Sequence, residues 1–503
     1  MAALLALAPI LLILVLMVVL RWSAVAAGLA GLVTTLAVAL LAFDYGGAGS
    51  PGLTPALAVG GALAEAVFVA TTIIWIIFPA LCIYELQLHG GAFDTLKTAL
   101  SRLSDDPRIL AVLVGWFFAL FMEGAAGFGT PVALAAPLLV SLGFAPVTAV
   151  TLAMIGHAAG VSFGAVGTPV LPQIAATGFT GAELAGATGL LHGLLGWILL
   201  LVLFAIAGRH SRSNRSWTAW GWAGSAALCF LLPFLALSQF VGPELPTLGG
   251  ALIGAVAFVW LLRRGHRGPE ADSEADWREV ARAALPYLVL LALILLTRLV
   301  PPLGAALRSA EWSWTVTGGF TGSVQPLYHP GTILLLGFLL GGLLQGRRRR
   351  ELWQAAALAG RRLPALLIAL VAMLGLARLM VHAGMIATLA EAAANNFAPV
   401  WPWLAPAVGV LGTFVSGSAT ASNILLTDFQ QETAMRLGLP TLWMVAAQGF
   451  GAAVGNIICP HNIIAGAATV GVQSREWEVL RRTVIVCVLY ALAGGTLLYL
   501  LVA

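Results

Sequence analysis

A chain of 503 residues, 60% hydrophobic and 9% charged, cannot be a soluble globular domain, where charged residues make up about a quarter. The formal net charge of +4 falls in short loops, so it reads as membrane topology and not as a nucleic-acid face. Lipid is the expected surrounding, and nucleic acid is excluded as a partner.

In chain order, apolar runs at residues 2–20, 23–42, 184–207 and 285–296 with its flanks each approach the roughly 20 residues that span hydrocarbon. Their recurrence predicts an all-α polytopic membrane protein of about 12–16 crossings. Arg21 and Trp22 follow the first run directly, with no small-residue cleavage site between, so it reads as a retained span and not a signal peptide. Basic clusters at 97–108, 209–215, 263–282, 347–362 and 475–482, with Arg21, belong in the cytoplasm. That leaves the loops around Asp44 and Glu244 and the connection 301–330 outside. Arg308 is the exception, and both termini then face outward. The stretch 263–282 is too short and charged to bury a core and reads as a cytoplasmic linker. Cys82, Cys229, Cys459 and Cys487 show no C-x-x-C or His-rich spacing, so no disulfide, metal or cofactor is expected.

An internal echo organises the rest. Phe121, Gly124 and Ala126 match Phe414, Gly417 and Ala419, and Gly160, Gly164 and Pro169 match Gly451, Gly455 and Pro460 at nearly the same offset. Two related halves follow. Loop charge places Phe121 near the outside after one crossing and Phe414 near the inside after two, so the halves are inverted, as in alternating-access transporters. The expected division is 1–108 as N-terminal spans, 109–208 as the first repeat core, 209–345 as connecting spans, and 346–503 as the second repeat core with a final span.

Gly/Pro clusters at membrane depth mark helix breaks whose end groups face protein, water or ligand. Four stand out: EGAAGFGTP (123–131), FGAVGTP (163–169), SGSATASN (416–423) and GNIICPHN (455–462). A helix that starts at such a break directs unpaired N–H groups inward, which suits a small anion. Candidate binding residues are Gly127, Gly129, Thr130, Thr168, Ser416, Ser418, Thr420, Ser422, Asn423, Asn456, His461 and Asn462, neutral donors for the most part. Singly, such hydroxyls more often cap helices or pack between them.

Among charged groups, Glu123 is the first candidate for proton coupling, because a carboxylate at membrane depth usually faces a pathway or a partner. The alternative is a permanently ionised cap on the helix that follows. His157 is a second proton candidate, although a satisfied core histidine is the commoner case. Arg378, 14 residues beyond Pro364, is deep enough to need a partner and is the candidate counter-charge for a carboxylate; Asp428 is one option for its mate. Arg298, beside Pro301 and Pro302, is placed to snorkel.

At these residues the chain resembles the lactate permease family of bacterial 2-hydroxy-monocarboxylate transporters. FMEGAAGFGTPVAL is similar to the family's signature, and FGAVGTPV, FVGPELP (240–246) and PYLVLLALILLTR (286–298) follow in order. The resemblance implies uptake of L-lactate, often with glycolate or D-lactate, together with a proton through the bacterial inner membrane; a homodimer is one option for its assembly. It departs where members often carry Asp and Lys: Ala419 and Asn456 stand there. Likewise His461 and Asn462 replace a Gln and a Ser, and His157 replaces an Asn. Loss of one charge pair keeps buried charge balanced, and these changes leave another small organic anion open, as sodium coupling also stays open. An intramembrane enzyme fits less well, since H-E-x-x-H does not occur. A channel lacks a ring of repeated selectivity residues.

Overall fold

In a computed structural model, the structure describes residues 1–20, 22–47, 53–101, 103–127, 129–209, 217–265, 277–472 and 475–502. Arg21, residues 210–215 and the middle of the expected linker, 266–276, lie outside the described residues. Among the described residues, eleven helices are long and apolar enough to cross a membrane, and a pair bent by 42°, Pro146–Gly156 with Ala158–Thr177, makes twelve. That meets the lower end of the expected range. Thr130–Ser141 and Pro330–Leu344 are shorter apolar helices.

Burial separates core from periphery. Pro107–Ala125 and Thr441–Thr469, which carry or adjoin breaks, are 100% and 89% buried over their apolar windows, against 28% for Val25–Ala42. Glycine makes such closeness possible. A Cβ at Gly409, Gly451 or Gly455 would strike the backbone of the facing helix, so Trp401–Ser416 and Thr441–Gly455 cross almost backbone to backbone.

Two helices of 35 and 34 residues, Pro55–His89 and Arg349–His382, run antiparallel. At one end Glu85 pairs with Arg362 at 2.5 Å, and at the other Glu65 meets His382 at 2.8 Å. Over the Glu65 end lies the one β-sheet among the described residues, an antiparallel hairpin of Trp312–Val316 and Phe320–Val324. Gly318 and Gly319 turn it with φ of 101° and 82°. Phe320 packs on Gly61, and the Thr321 amide donates to Glu65 at 3.2 Å. Nearby Arg298 does not snorkel. Its side chain is 5% exposed and pairs with Glu244 at 2.7 Å, while its guanidinium lies 3.7 Å from the centre of the Tyr328 ring.

Candidate substrate cavity

All four predicted breaks are real, and they converge on one cavity of about 1070 Å³. In the first, Ala119–Ala125 ends at Ala126, Gly127 and Gly129 turn the chain with φ of 60° and 83°, and Thr130–Ser141 starts beyond them. Thr130 closes the turn by donating to the Gly127 carbonyl at 2.8 Å. The second break is stranger. After the 3₁₀ turn Ala158–Phe163, three successive residues, Ala165, Val166 and Gly167, take left-handed φ of 42°, 55° and 82°. Such a conformation costs a non-glycine residue about 1–3 kcal/mol. Thr168 fastens this turn by donating to the Ala165 carbonyl at 2.6 Å.

Glu123 sits between these two breaks. It is 6% exposed and lines the cavity, and no hydrogen-bond donor or cation engages it among the described residues. A Cβ at Gly164 would overlap its Oε1, and one at Gly127 would touch the same oxygen. Glycines from separate motifs thus make room for one carboxylate.

In the second half, Trp401–Ser416 ends at Gly417, φ 77°, and Ser418 caps Ala419–Leu437. Ser416 donates back to the Gly412 carbonyl at 2.6 Å. Thr420 lines the cavity. In the fourth break the 3₁₀ turn Asn456–Ile458 leads to Pro460–Thr469. Asn462 donates its amide to Asn456 Oδ1 at 2.5 Å, and His157 Nε2 lies 3.2 Å from that same oxygen.

Three helix starts therefore reach the wall, at Gly129, Ser418 and Pro460. Their amide groups and partial positive charge favour an anion there. Among the described residues the lining holds no Lys or Arg, and Glu123, Glu476 and His461 are its titratable side chains. Opposite stands an apolar strip, Ala365, Leu366, Ala369, Leu370 and Met373.

Of the residues singled out from sequence, the structure gathers Glu123, Gly127, Gly129, Thr168, Ser416, Ser418, Thr420, Asn456, His461 and Asn462 on this wall. Thr130, Ser422, Asn423, His157 and Arg378 stand off it. Ser422 is fully buried, bonded to the Gly409 carbonyl and to Gln448. Asn423 donates to the Pro169 carbonyl at 2.8 Å and so pins the third break to the second. His157 lies behind Asn456 with no exposed surface. Arg378 donates to the Ala175 carbonyl at 3.2 Å, and Asp428 is within electrostatic reach of it. The Ala365–Met373 strip was missed. Its spacing of i, i+1, i+4, i+5 and i+8 marks one helix face, but small apolar residues on a spanning helix look like any other packing surface.

Broken helices meeting at an anion-friendly cavity, inside a bundle of spanning helices, define a polytopic membrane transporter. The chain belongs to the L-lactate permease family, whose profile matches residues 2–503. It is a permease and not an enzyme, and a multi-pass protein of the bacterial inner membrane. It is 30% identical to the L-lactate permease of Streptococcus iniae, covering 88% of this chain and 93% of that protein. With the glycolate permease GlcA of Escherichia coli K12 it shares 29% identity, over 96% and 92% of the two chains. The solved YdaH transporter of Alcanivorax borkumensis has a similar fold, with a TM-score of 0.50 at 18% identity, over 88% and 86% of the two chains.

Proposed function

We propose that the protein carries small 2-hydroxy monocarboxylates, L-lactate foremost and glycolate or D-lactate beside it, by proton symport across the inner membrane. The carrying observation is the cavity itself. Three helix N-termini and neutral side chains suit a single carboxylate, and a buried, unpaired Glu123 is placed to hold the accompanying proton. The apolar strip on the Arg349–His382 helix suits a short alkyl group such as lactate's methyl. Similarity to lactate and glycolate permeases supports the same substrate class. In this reading the cores 109–208 and 346–503 are the two inverted halves, and the site lies where their breaks meet.

Uptake of labelled L-lactate into proteoliposomes, with and without an inward proton gradient and with glycolate, acetate and succinate as competitors, tests this. Gradient-driven uptake blocked by glycolate is the expected result. Folded protein that accumulates no lactate under either condition overturns the substrate assignment and directs attention to Ala419, Asn456 and His461.

A further inference from the structure

His157 closes the helix Pro146–Gly156, and both of its ring nitrogens are engaged. Nδ1 lies 2.7 Å from the Ala153 carbonyl. A carbonyl only accepts, so Nδ1 carries a proton. Nε2 faces Asn456 Oδ1 at 3.2 Å, and that oxygen already accepts from Asn462 Nδ2 at 2.5 Å. An amide oxygen also only accepts, so this arrangement needs a second proton on Nε2 and makes the ring an imidazolium. One other arrangement satisfies all three groups. Both amides reverse, and Asn456 gives one amide hydrogen to a bare Nε2 and the other to the Asn462 oxygen. The network thus has two states, and the Nε2 proton decides between them.

The two states show the cavity different faces. With the imidazolium, Asn456 Oδ1 is turned to His157 and Asn462, which leaves the Asn456 amide nitrogen as a donor on the cavity wall. With the neutral ring, the Asn456 oxygen takes that place while the Asn462 amide nitrogen is freed in exchange, so the wall keeps its donors and the ring's positive charge is what separates the two states for a carboxylate. Among the described residues, no anion beside the ring settles the matter within the protein. Of the elements packed against Pro146–Gly156, Thr130–Ser141, Trp197–Gly208, residues 112–118 and residues 158–163 bring no titratable side chain. Pro460–Thr469 brings His461, on the cavity wall, and Cys459 precedes that helix. Glu476–Val502 brings Glu476, Glu478, Arg481, Arg482, Cys487, Tyr490 and Tyr499, of which Arg482 bonds Thr148, Cys487 the Val454 carbonyl and Tyr490 His192. Ala119–Ala125 brings Glu123, across the cavity wall. A buried imidazolium without a counter-ion is costly, and an anion in the cavity supplies one.

We infer that His157 is a proton-loading residue that acts through Asn456 and Asn462, so that its proton and a carboxylate in the cavity each favour the binding of the other. The inference rests on the monocarboxylate reading of the site and adds a residue that never touches the substrate. Linkage makes the coupling reciprocal, which is what a symporter needs. Glu123 remains the group on the wall; His157 is a positioning residue behind it.

The test uses purified wild-type protein, His157→Gln and Asn456→Ala, each from about pH 5 to about pH 9, the range that brackets histidine titration. Calorimetry reads the binding of L-lactate, glycolate and acetate. Spectra of ¹⁵N-histidine-labelled protein, with the His157 signals assigned by their loss in His157→Gln, read the ring's protonation. The wild type is expected to lose about tenfold in lactate affinity per pH unit above the His157 titration, and saturating lactate to move that titration to higher pH. His157→Gln is expected to bind with a shallower pH profile, the remaining slope belonging to Glu123, and Asn456→Ala to let His157 titrate without the mutual shift. A ring that keeps one protonation state throughout, or a His157→Gln protein with the wild-type slope, overturns the switch whatever the substrate. A titrating ring whose midpoint responds to Asn456→Ala, in protein that binds none of the three acids, leaves the switch standing and overturns the monocarboxylate reading.

Discussion

Glu123 shows what a single residue can be asked. Its carboxylate fills the space left by Gly127 and Gly164, and among the described residues no cation lies beside it, so a charge buried there is costly and a proton removes the cost. If it is the proton carrier, Glu123→Gln abolishes gradient-driven lactate accumulation but spares lactate–lactate exchange in preloaded proteoliposomes. Unchanged accumulation would leave it a capping group. Asn423 tests the opposite kind of residue. Its bond to the Pro169 carbonyl is buried, so Asn423→Ala strands an acceptor and costs about 1–3 kcal/mol, read as a lowered melting temperature. Substrate affinity in the surviving folded protein changes little, since Asn423 stands off the cavity. A large affinity loss without destabilisation would put it back in the site.

At the scale of elements, the breaks were legible because Gly and Pro at membrane depth leave few other readings, and EGAAGFGTP, FGAVGTP, SGSATASN and GNIICPHN all became turns on one wall. Which side chains in them face the cavity was not. Ser422 and Asn423 sit one turn inside a helix, and helical rotation sends them into neighbours, whereas Ser416 and Ser418 at the break itself stay on the wall. The hairpin 312–324 was hidden in a loop, and Arg298 found Glu244 54 positions away, a distance no local pattern reports. The left-handed turn at 165–167 was equally invisible, since Ala and Val carry no signal for positive φ. Ala165→Gly relieves one such residue and is expected to stabilise the protein by about 1 kcal/mol; a lowered melting temperature would deny the strain. The Arg298–Tyr328 contact yields a pH prediction through its neighbour His329. His329 caps Pro330–Leu344 by accepting from the Gly331 amide at 3.3 Å. Burial, then the nearby Arg298 guanidinium, push its imidazole down to about 4. Unfolded, the ring binds its proton near pH 6.5, so between these values the unfolded chain holds more protons and stability falls as pH drops. Melting temperature should therefore decline on acidification through that window. His329→Asn, which can still cap, should flatten part of the slope; an unchanged slope would assign it to other groups.

For the whole molecule, the cavity's lining reaches Trp22, Ser23, Ala365, Glu476 and Trp477. These adjoin Arg361, Arg362 and Arg475, the basic segments that loop charge puts in the cytoplasm. The opposite end is shut by contacts between separate elements. Glu65 meets His382, Phe320 packs edge-on to that imidazole at 5.0 Å, and Arg378 holds the Ala175 carbonyl. In the proposed alternating-access reading this combination is an inward-facing state, with Arg378 and His382 at the outer closure and off the cavity wall. Membrane-impermeant maleimide should then label Trp477→Cys from the cytoplasmic face, in inside-out vesicles and not in right-side-out ones, the four native cysteines being buried or half-buried. Removing the half-exposed pair with His382→Ala costs the closed outer end about 1 kcal/mol, hence shifts the population toward outward-facing by about fivefold. Labelling of Trp477→Cys in that background should slow accordingly. Labelling from the outer face instead would reverse the topology, and an unchanged rate would mean that the Arg378 contact and the hairpin hold the outer end shut without the Glu65–His382 pair.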